Sequence, residues 1–323
     1  MTTPHNTTPQ ANGTSATHFD AVVVGAGFGG MYMLHKLRGL GFTARVYEAG
    51  GDVGGTWYWN RYPGARCDVP SLQYSYQFSE ELQQEWQWTE KYSTQTEILR
   101  YANHVADRFQ LRKDIQFNPR VTRATFDEAT TMWRVETDAG NRVTARFCIM
   151  ASGCLSSKNT PNFPGLSDFQ GQWFHTSNWP HEGVDFTGKR VGIIGNGSTG
   201  IQAIPVIARQ AEHLFVFQRT PQYSVPARNT PLDPEEEARI KARYRDFRIQ
   251  NNGKPFAQDL NPPTRTTFEV SEDERRRRYE ECWEQGGLGM MLAYADSGTN
   301  LEANLTVSAF VKEKIKQVVK DPA

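Results

Sequence analysis

Residues 19–50 read FDAVVVGAGFGGMYMLHKLRGLGFTARVYEAG, and this stretch decides the fold. Ala21 to Val24 is a short apolar run, the pattern of a buried strand. It runs into Gly25-x-Gly27-x-x-Gly30. A helical stretch follows from about Phe28 to Arg38 and closes near Gly39 and Gly41. A second strand, about Ala44 to Tyr47, ends in Glu48, 23 residues beyond Gly25. Three spaced glycines alone say little. A strand before them, a helix after them and an acid at this distance make a dinucleotide-binding fingerprint. Gly25 permits the tight turn, Gly27 lets a pyrophosphate touch backbone, and Gly30 lets helix pack on strand. The helix N-terminus offers free N–H groups and a positive dipole end to phosphate. Glu48 can accept hydrogen bonds from ribose hydroxyls and would repel a 2′-phosphate, so this loop suits FAD or NAD. The competing reading is a glycine turn with no ligand.

The same punctuation returns 170 residues later, in KRVGIIGNGSTGIQAIPVIARQAEHLFVFQRT at 189–220. A strand over Val191 to Ile194 leads into Gly195-x-Gly197-x-x-Gly200. The helix is expected from about Thr199 to Gln210, and a second strand, Leu214 to Phe217, ends in Gln218-Arg219-Thr220. Where the first copy has an acid, the second has an arginine and a hydroxyl. A guanidinium grips a phosphate through two parallel charge-assisted bonds. The second loop should therefore prefer NADPH to NADH. Together the two loops predict an α/β chain with two Rossmann-like dinucleotide-binding domains, one for FAD and one for NADP(H).

Between the loops, GDVGGTWYWNRYPGARCDVPSLQYSYQF is long, aromatic and irregular. Gly54 and Gly55 permit close backbone approach to a large planar ligand, Trp57, Tyr58 and Trp59 can pack on or beside its ring, Pro63-Gly64 makes a turn, and Asp68 adds a carboxylate. The bland alternative is a packed aromatic loop. STQTEILRYANHVADRF has a helix pattern with Thr94 and Glu97 as a capping box, and its His104 reads as structural. Residues 116–153 alternate like antiparallel strands, turn near Asp127 and at Asp138-Ala139-Gly140, and end in an apolar strand, Phe147 to Ala151, that would rejoin the first sheet. From 231 to 311 charge density rises and helices are broken by NNGKP and LNPPT, the pattern of a helical insert. Met290 and Met291 there could face a channel or pack in a core.

Composition excludes several classes. At 38% hydrophobic and 22% charged the chain is ordinary globular protein. Lys+Arg and Asp+Glu are both 36, so there is no general field for nucleic acid or an acidic membrane. The run Arg275 to Arg278 is flanked by acids and reads as an ion-paired helix face. The four cysteines form no CxxC pair, so neither a disulfide framework nor a zinc or other metal site is expected, and a reducing, cytoplasmic compartment fits. No apolar run reaches the roughly 18 residues of a membrane helix. Residues 1–17 are polar, lack the marks of a signal peptide and read as a disordered tail. The sequon-like Asn6, Asn196 and Asn304 are therefore expected to carry no sugar.

Two further patterns carry a resemblance. FQGQWFHTSNWP at 169–180 contains Phe169, Gly171, His175, Trp179 and Pro180 in the order Phe-x-Gly-x-x-x-His-x-x-x-Trp-Pro. Gly54-Gly55-x-Trp57 is followed by Tyr62-Pro63-Gly64-x-x-x-Asp68. With both glycine loops flanking them, the chain from about Phe19 onward resembles the Baeyer–Villiger monooxygenases, flavin enzymes that turn ketones into esters or lactones. WYWNRYPGARCD and LFVFQRTP make it most similar to the group of phenylacetone, steroid and large-ring cyclic ketone monooxygenases.

The resemblance implies NADPH-dependent insertion of one oxygen atom of O2 beside a ketone carbonyl through a peroxyflavin. FAD would lie against Gly25, Gly27, Phe28, Gly29, Gly30, Glu48, Gly54, Gly55, Thr56, Trp57 and Tyr58, with Asp68 and Tyr74 close by and Val121 meeting the adenine through its backbone. NADP would lie against Gly195, Gly197, Ser198, Thr199, Gly200, Ile201, Arg219 and Thr220. His175 would transmit domain movement, and Asp68 would pair with a catalytic arginine. In the family that arginine, and the strands completing both domains, lie beyond the segment that Ala323 ends here. The chain therefore reads as an N-terminal portion, and activity of this polypeptide alone is not expected. The implied domains are an FAD domain over 18–157, a linker over 158–182 and an NADP domain over 183–323 with its insert at 231–311. Cys154 stands where close relatives often carry glutamine and is expected to pack as a small hydrophobe. The rivals are a sulfur- or nitrogen-oxidising flavin monooxygenase, whose linker lacks the Trp-Pro ending, and a fragment that only binds nucleotide. Substrate identity and any homo-oligomer are left open.

The phosphate assignment makes a prediction. Arg219→Ala should weaken NADPH binding by roughly 1.5–3 kcal/mol, the worth of a charged hydrogen bond, and leave NADH nearly unchanged. Titration of both nucleotides checks it, and equal losses would contradict the assignment.

Overall fold

A computed structural model describes residues 17–220 and 222–320. The expected tail lies outside the described residues except for Thr17, as does Asn6. In chain order the elements are β1 (Thr17–Val24), α1 (Phe28–Gly39), β2 (Ala44–Glu48), α2 (Thr56–Trp59), α3 (Glu80–Glu85), α4 (Gln95–Arg108), β3 (Ile115–Phe117), β4 (Val121–Asp127), β5 (Met132–Thr137) and β6 (Arg142–Met150). They continue with β7 (Arg190–Ile194), α5 (Ser198–Ala208), β8 (His213–Phe217), α6 (Pro234–Lys241), α7 (Tyr244–Asn252), α8 (Glu272–Gln285) and α9 (Leu301–Val318). Contacts divide the described chain into two compact units, 17–59 with 99–170 and 60–98 with 171–320. Segment 60–98 thus clusters with the second glycine loop.

The first unit is built on a six-stranded sheet of order β3-β2-β1-β6-β5-β4. β1 pairs in parallel with β2 on one side and β6 on the other, so the strand order reverses at the carboxyl end of β1. That reversal is where open α/β sheets bind ligands, and Gly25 follows it directly. β4 and β5 complete the sheet as an antiparallel pair. β1 begins earlier than its apolar run: Thr17, His18 and Phe19 pair with Val143, Thr144 and Ala145, the first two exposed and Phe19 half-buried against the sheet's core. Backbone pairing extended this strand through Thr17 and His18, where hydrophobicity gave no sign.

α1 buries Gly30, Met31, Leu34 and Leu37, one stripe at helical spacing. Its end is a Schellman turn: Phe42 N–H bonds the Leu37 carbonyl and Gly41 N–H bonds that of Arg38, both at 3.0 Å. Gly41 takes φ +78°, the left-handed conformation that glycine adopts freely. On the sheet Val22, Tyr47, Val135, Val143 and Ala145 form an apolar cluster.

In the second unit β7, α5 and β8 make one β-α-β turn, the two strands parallel. Trp179, Phe186, Ala203 and Ile207 form its core, so the marker's tryptophan packs on α5. The insert is helical. Ser271 caps α8 by accepting from Glu274 N–H, three acids fill its first turn, and Tyr279, Cys282 and Trp283 pack on Phe310 and Val311 of α9. Arg276 forks onto Glu313 at 2.7 and 2.9 Å and Arg278 reaches Glu281, the expected ion-paired face.

Three expectations need amending. Thr94 accepts from Glu97 N–H, but the Glu97 carboxylate turns away to Thr89, taking its N–H at 3.0 Å and its hydroxyl at 2.9 Å, so only half of the capping box forms. Cys154 is exposed, because it follows β6 in irregular chain that carries no packing partner layer over it. The two methionines part company: Met290 is buried with Trp283 and Phe310, while Met291 is exposed.

Leu34 is fully buried, whereas Leu40, just past the same helix, is 71% exposed. Leu34→Ala should cost about 2–5 kcal/mol in denaturant unfolding. Leu40→Ala should stay within about 0.5 kcal/mol.

Candidate functional site

The two glycine loops have one backbone. Gly25 and Gly195 both take φ +102°. Each donates its N–H at 2.8 Å to a carbonyl at the end of the neighbouring strand, Gly25 to that of Tyr47, just before Glu48, and Gly195 to that of Phe217, just before Gln218. Gly27 and Gly197, the N-caps of α1 and α5, have φ −73° and −71° with ψ −173° and −174°. A Cβ at Gly30 would fall onto the Gly25 carbonyl, and one at Gly200 onto that of Gly195. Neither helix has a side-chain N-cap or an acid in its first turn. Each therefore presents its first N–H groups to whatever lies in the loop, the arrangement a pyrophosphate requires.

The strands that follow end differently. Glu48 is buried, and its carboxylate accepts from Ala26 N–H at 2.6 Å and Gly50 N–H at 2.7 Å. It braces the loop from beneath and, with about four lone-pair sites, keeps acceptor capacity for a ribose. At the matching position Gln218 accepts from the Asn196 side-chain amide at 2.8 Å. This contact stands at the same spacing but is neutral and runs side chain to side chain, and the next residues, Arg219 and Thr220, are exposed. The sequence reading gave Gln218 and Asn196 no part in the site. Their equal spacing with Glu48 and Ala26 was the available signal.

In the first unit Gly54 and Gly55 dock onto the loop. Gly54 N–H bonds the Ala26 carbonyl at 3.1 Å, and a Cβ at Gly55, φ +55°, would lie 2.8 Å from the Gly27 Cα. Backbone meets backbone with no side chain between, a cradle suited to a flat, extended cofactor such as FAD. Thr56, Trp57 and Tyr58 follow in α2, Trp57 buried and Tyr58 accepting from Gly51 N–H through its hydroxyl at 3.0 Å. Phe28 and Gly29 open α1, and Val121 opens β4 at a register shift, half-buried against the Val22–Tyr47 cluster. Phe169, exposed, is the one marker residue in this unit.

In the second unit lie Asp68, Tyr74, the remaining marker residues and the second loop with Ser198, Thr199 and Ile201. The Tyr62-Pro63-Gly64-x-x-x-Asp68 segment is bound to α5 by Gln202, a residue that sequence reading did not single out. Gln202 accepts from the Tyr62 hydroxyl at 2.9 Å and from Arg66 N–H at 3.2 Å, and donates to the Arg66 carbonyl at 3.2 Å and the Asp68 carboxylate at 3.1 Å. Burial pushes up the pKa of Tyr62, Tyr92 and Cys67, and the Asp68 charge adds to each; the Cys67 thiol is raised to about 11. His175 caps a short 3-10 turn, Thr176–Asn178: its Nδ1 accepts from Ser177 N–H at 3.2 Å. That bond puts the proton of the neutral ring on Nε2.

Two dinucleotide loops of one geometry and opposite strand ends define a protein built to hold two nucleotide cofactors. The chain belongs to the flavin-binding monooxygenase-like family, whose pattern matches residues 20–231. It is 46% identical over 312 residues to a Baeyer–Villiger monooxygenase of Pseudooceanicola batsensis, covering 96% of this chain and 57% of that protein. It is 44% identical to the cyclohexanone 1,2-monooxygenase of an Acinetobacter species, covering 94% of this chain and 56% of that one. The structure of an oxidized steroid monooxygenase bound to NADP matches with a TM-score of 0.89 and 55% identity, covering 95% of this chain and 58% of that one. The chain thus spans a little over half the length of these relatives. Among the described residues no helix is long and apolar enough to cross a membrane.

Gly29 and Gly30 give a matched test of the loop. A Cβ at Gly29 meets nothing within 4 Å, whereas one at Gly30 collides with backbone. Gly29→Ala should stabilise the helix by about 0.4–1 kcal/mol, and Gly30→Ala should cost about 1–3 kcal/mol or more, both read from unfolding curves.

Proposed function

We propose that the first loop holds FAD, the second NADP(H), and that the protein as a whole is an NADPH-dependent Baeyer–Villiger monooxygenase acting on a ketone with O2. The observation that carries this reading is the pair of loops with one backbone and opposite strand ends, buried Glu48 in the first and exposed Arg219 in the second. Bound flavin supplies electron transfer from NADPH to O2. The chain's own residues bind and orient. Glu48 holds a ribose, and Gly54 to Tyr58 line the flavin. Asp68 and Tyr74 serve its surroundings, and Val121 meets the adenine. Gly195 to Ile201 seat the second pyrophosphate, and Arg219 with Thr220 selects the 2′-phosphate. His175, with its proton on Nε2, can donate one hydrogen bond from the marker. We assign the FAD domain to 18–157, the linker to 158–182 and the NADP domain to 183–323. Free thiols fit a cytoplasmic setting. Trp179-Pro180 favours this reading over sulfur or nitrogen oxidation.

Incubating the full-length enzyme with NADPH and a cyclic ketone in air should yield the lactone by mass spectrometry. Sulfoxide or N-oxide alone from a mixed substrate pool would sink the reading.

A further inference from the structure

We infer that Gln202 is a positioning residue that couples the second glycine loop to the Asp68 carboxylate; this rests on reading that loop as a dinucleotide site. Both bonds accepted by its amide oxygen and both donated by its nitrogen go to one short segment, Tyr62 to Asp68. An amide is required, because the same side chain accepts from Tyr62 and Arg66 and donates to Arg66 and Asp68. The backbone at this point is equally committed. Gly64 has φ +80°, and a Cβ there would strike the Gln202 carbonyl and lie 3.1 Å from the Val206 side chain. Only glycine lets the Pro63-Gly64 turn sit on α5.

The segment also comes near the first turn of the helix, where the Thr199 hydroxyl partly offsets the burial that raises the Tyr62 pKa. Gln202 and Thr199 are three residues apart and share a helix face. A phosphate seated on the N–H groups at Gly197–Gly200 would fix that first turn. Gln202 would pass the constraint to Arg66 and to Asp68, whose exposed carboxylate takes a direction from its amide. Coupling of this kind is reciprocal: ordering Tyr62–Asp68 must also strengthen nucleotide binding.

The test follows hydrogen–deuterium exchange of peptides spanning 60–70, which contain the Arg66 amide bonded to Gln202, with and without NADP+. In the unaltered protein NADP+ should slow exchange there by about two- to tenfold, the worth of one net hydrogen bond. Gln202→Met, similar in length but without the amide, should bind NADP+ and lose the slowing. Gln202→Glu keeps the acceptor but loses both donated bonds and sets a second carboxylate beside Asp68, so it should bind NADP+ and lose the slowing as well. Undiminished slowing in either variant overturns the coupling. Failure of the unaltered protein to bind NADP+ at all overturns the dinucleotide reading, and this inference with it.

Discussion

The constraint on which both halves depend is the contact between the third glycine of each loop and the carbonyl of the first. Gly30 lies against the Gly25 oxygen, and Gly200 against that of Gly195, with no room for a Cβ. That contact lets a helix start one tight turn after a strand and aim its first N–H groups across the strand's end. The turn needs φ +102° at Gly25 and Gly195, a region closed to side chains of ordinary size. Everything placed at the site follows from it: the exposed N-termini of α1 and α5, the strand ends beside them, and the polar residues that close each strand.

Those closing residues separate two otherwise equivalent sites. Glu48 puts a buried negative charge under the first loop, tied to two backbone N–H groups. Gln218 makes the corresponding brace without charge, through Asn196. A carboxylate at that position would oppose a 2′-phosphate. An amide there would remove the repulsion, and in the function proposed above Arg219 would add attraction. Selection between the cofactors would then rest on a repulsive element in one copy and its removal in the other, not merely on a new favourable contact.

Much of this was legible in the residues, and the reason is local. Strand, glycine loop and helix are set within 30 residues by periodicity and glycine spacing, so both β-α-β turns and the apolar return strand β6 could be read directly. What escaped depends on contacts between distant segments. Gln202 looks like any polar residue on a helix until Tyr62–Asp68, more than 130 residues away in sequence, is laid against it. Glu97 satisfies the capping-box pattern, yet Thr89 offers its carboxylate two donors and wins it. Cys154 follows an apolar strand and so reads as packed, although no neighbouring layer covers that loop.

The marker around His175 illustrates why pattern and role are separate questions. FQGQWFHTSNWP divides its duties sharply: Trp179 is core, wedged between Phe174 and Phe186 at 5.6 and 6.1 Å between ring centroids. His175 spends Nδ1 on holding its own turn. Phe169 and Trp173 remain exposed. The spacing Gly-x-x-x-His-x-x-x-Trp therefore encodes an anchored 3-10 turn with a histidine at its head, the ring held to its own turn by a backbone N–H. Trp179 ties that turn to the helix that carries the second glycine loop, so the histidine and the loop share one packed support.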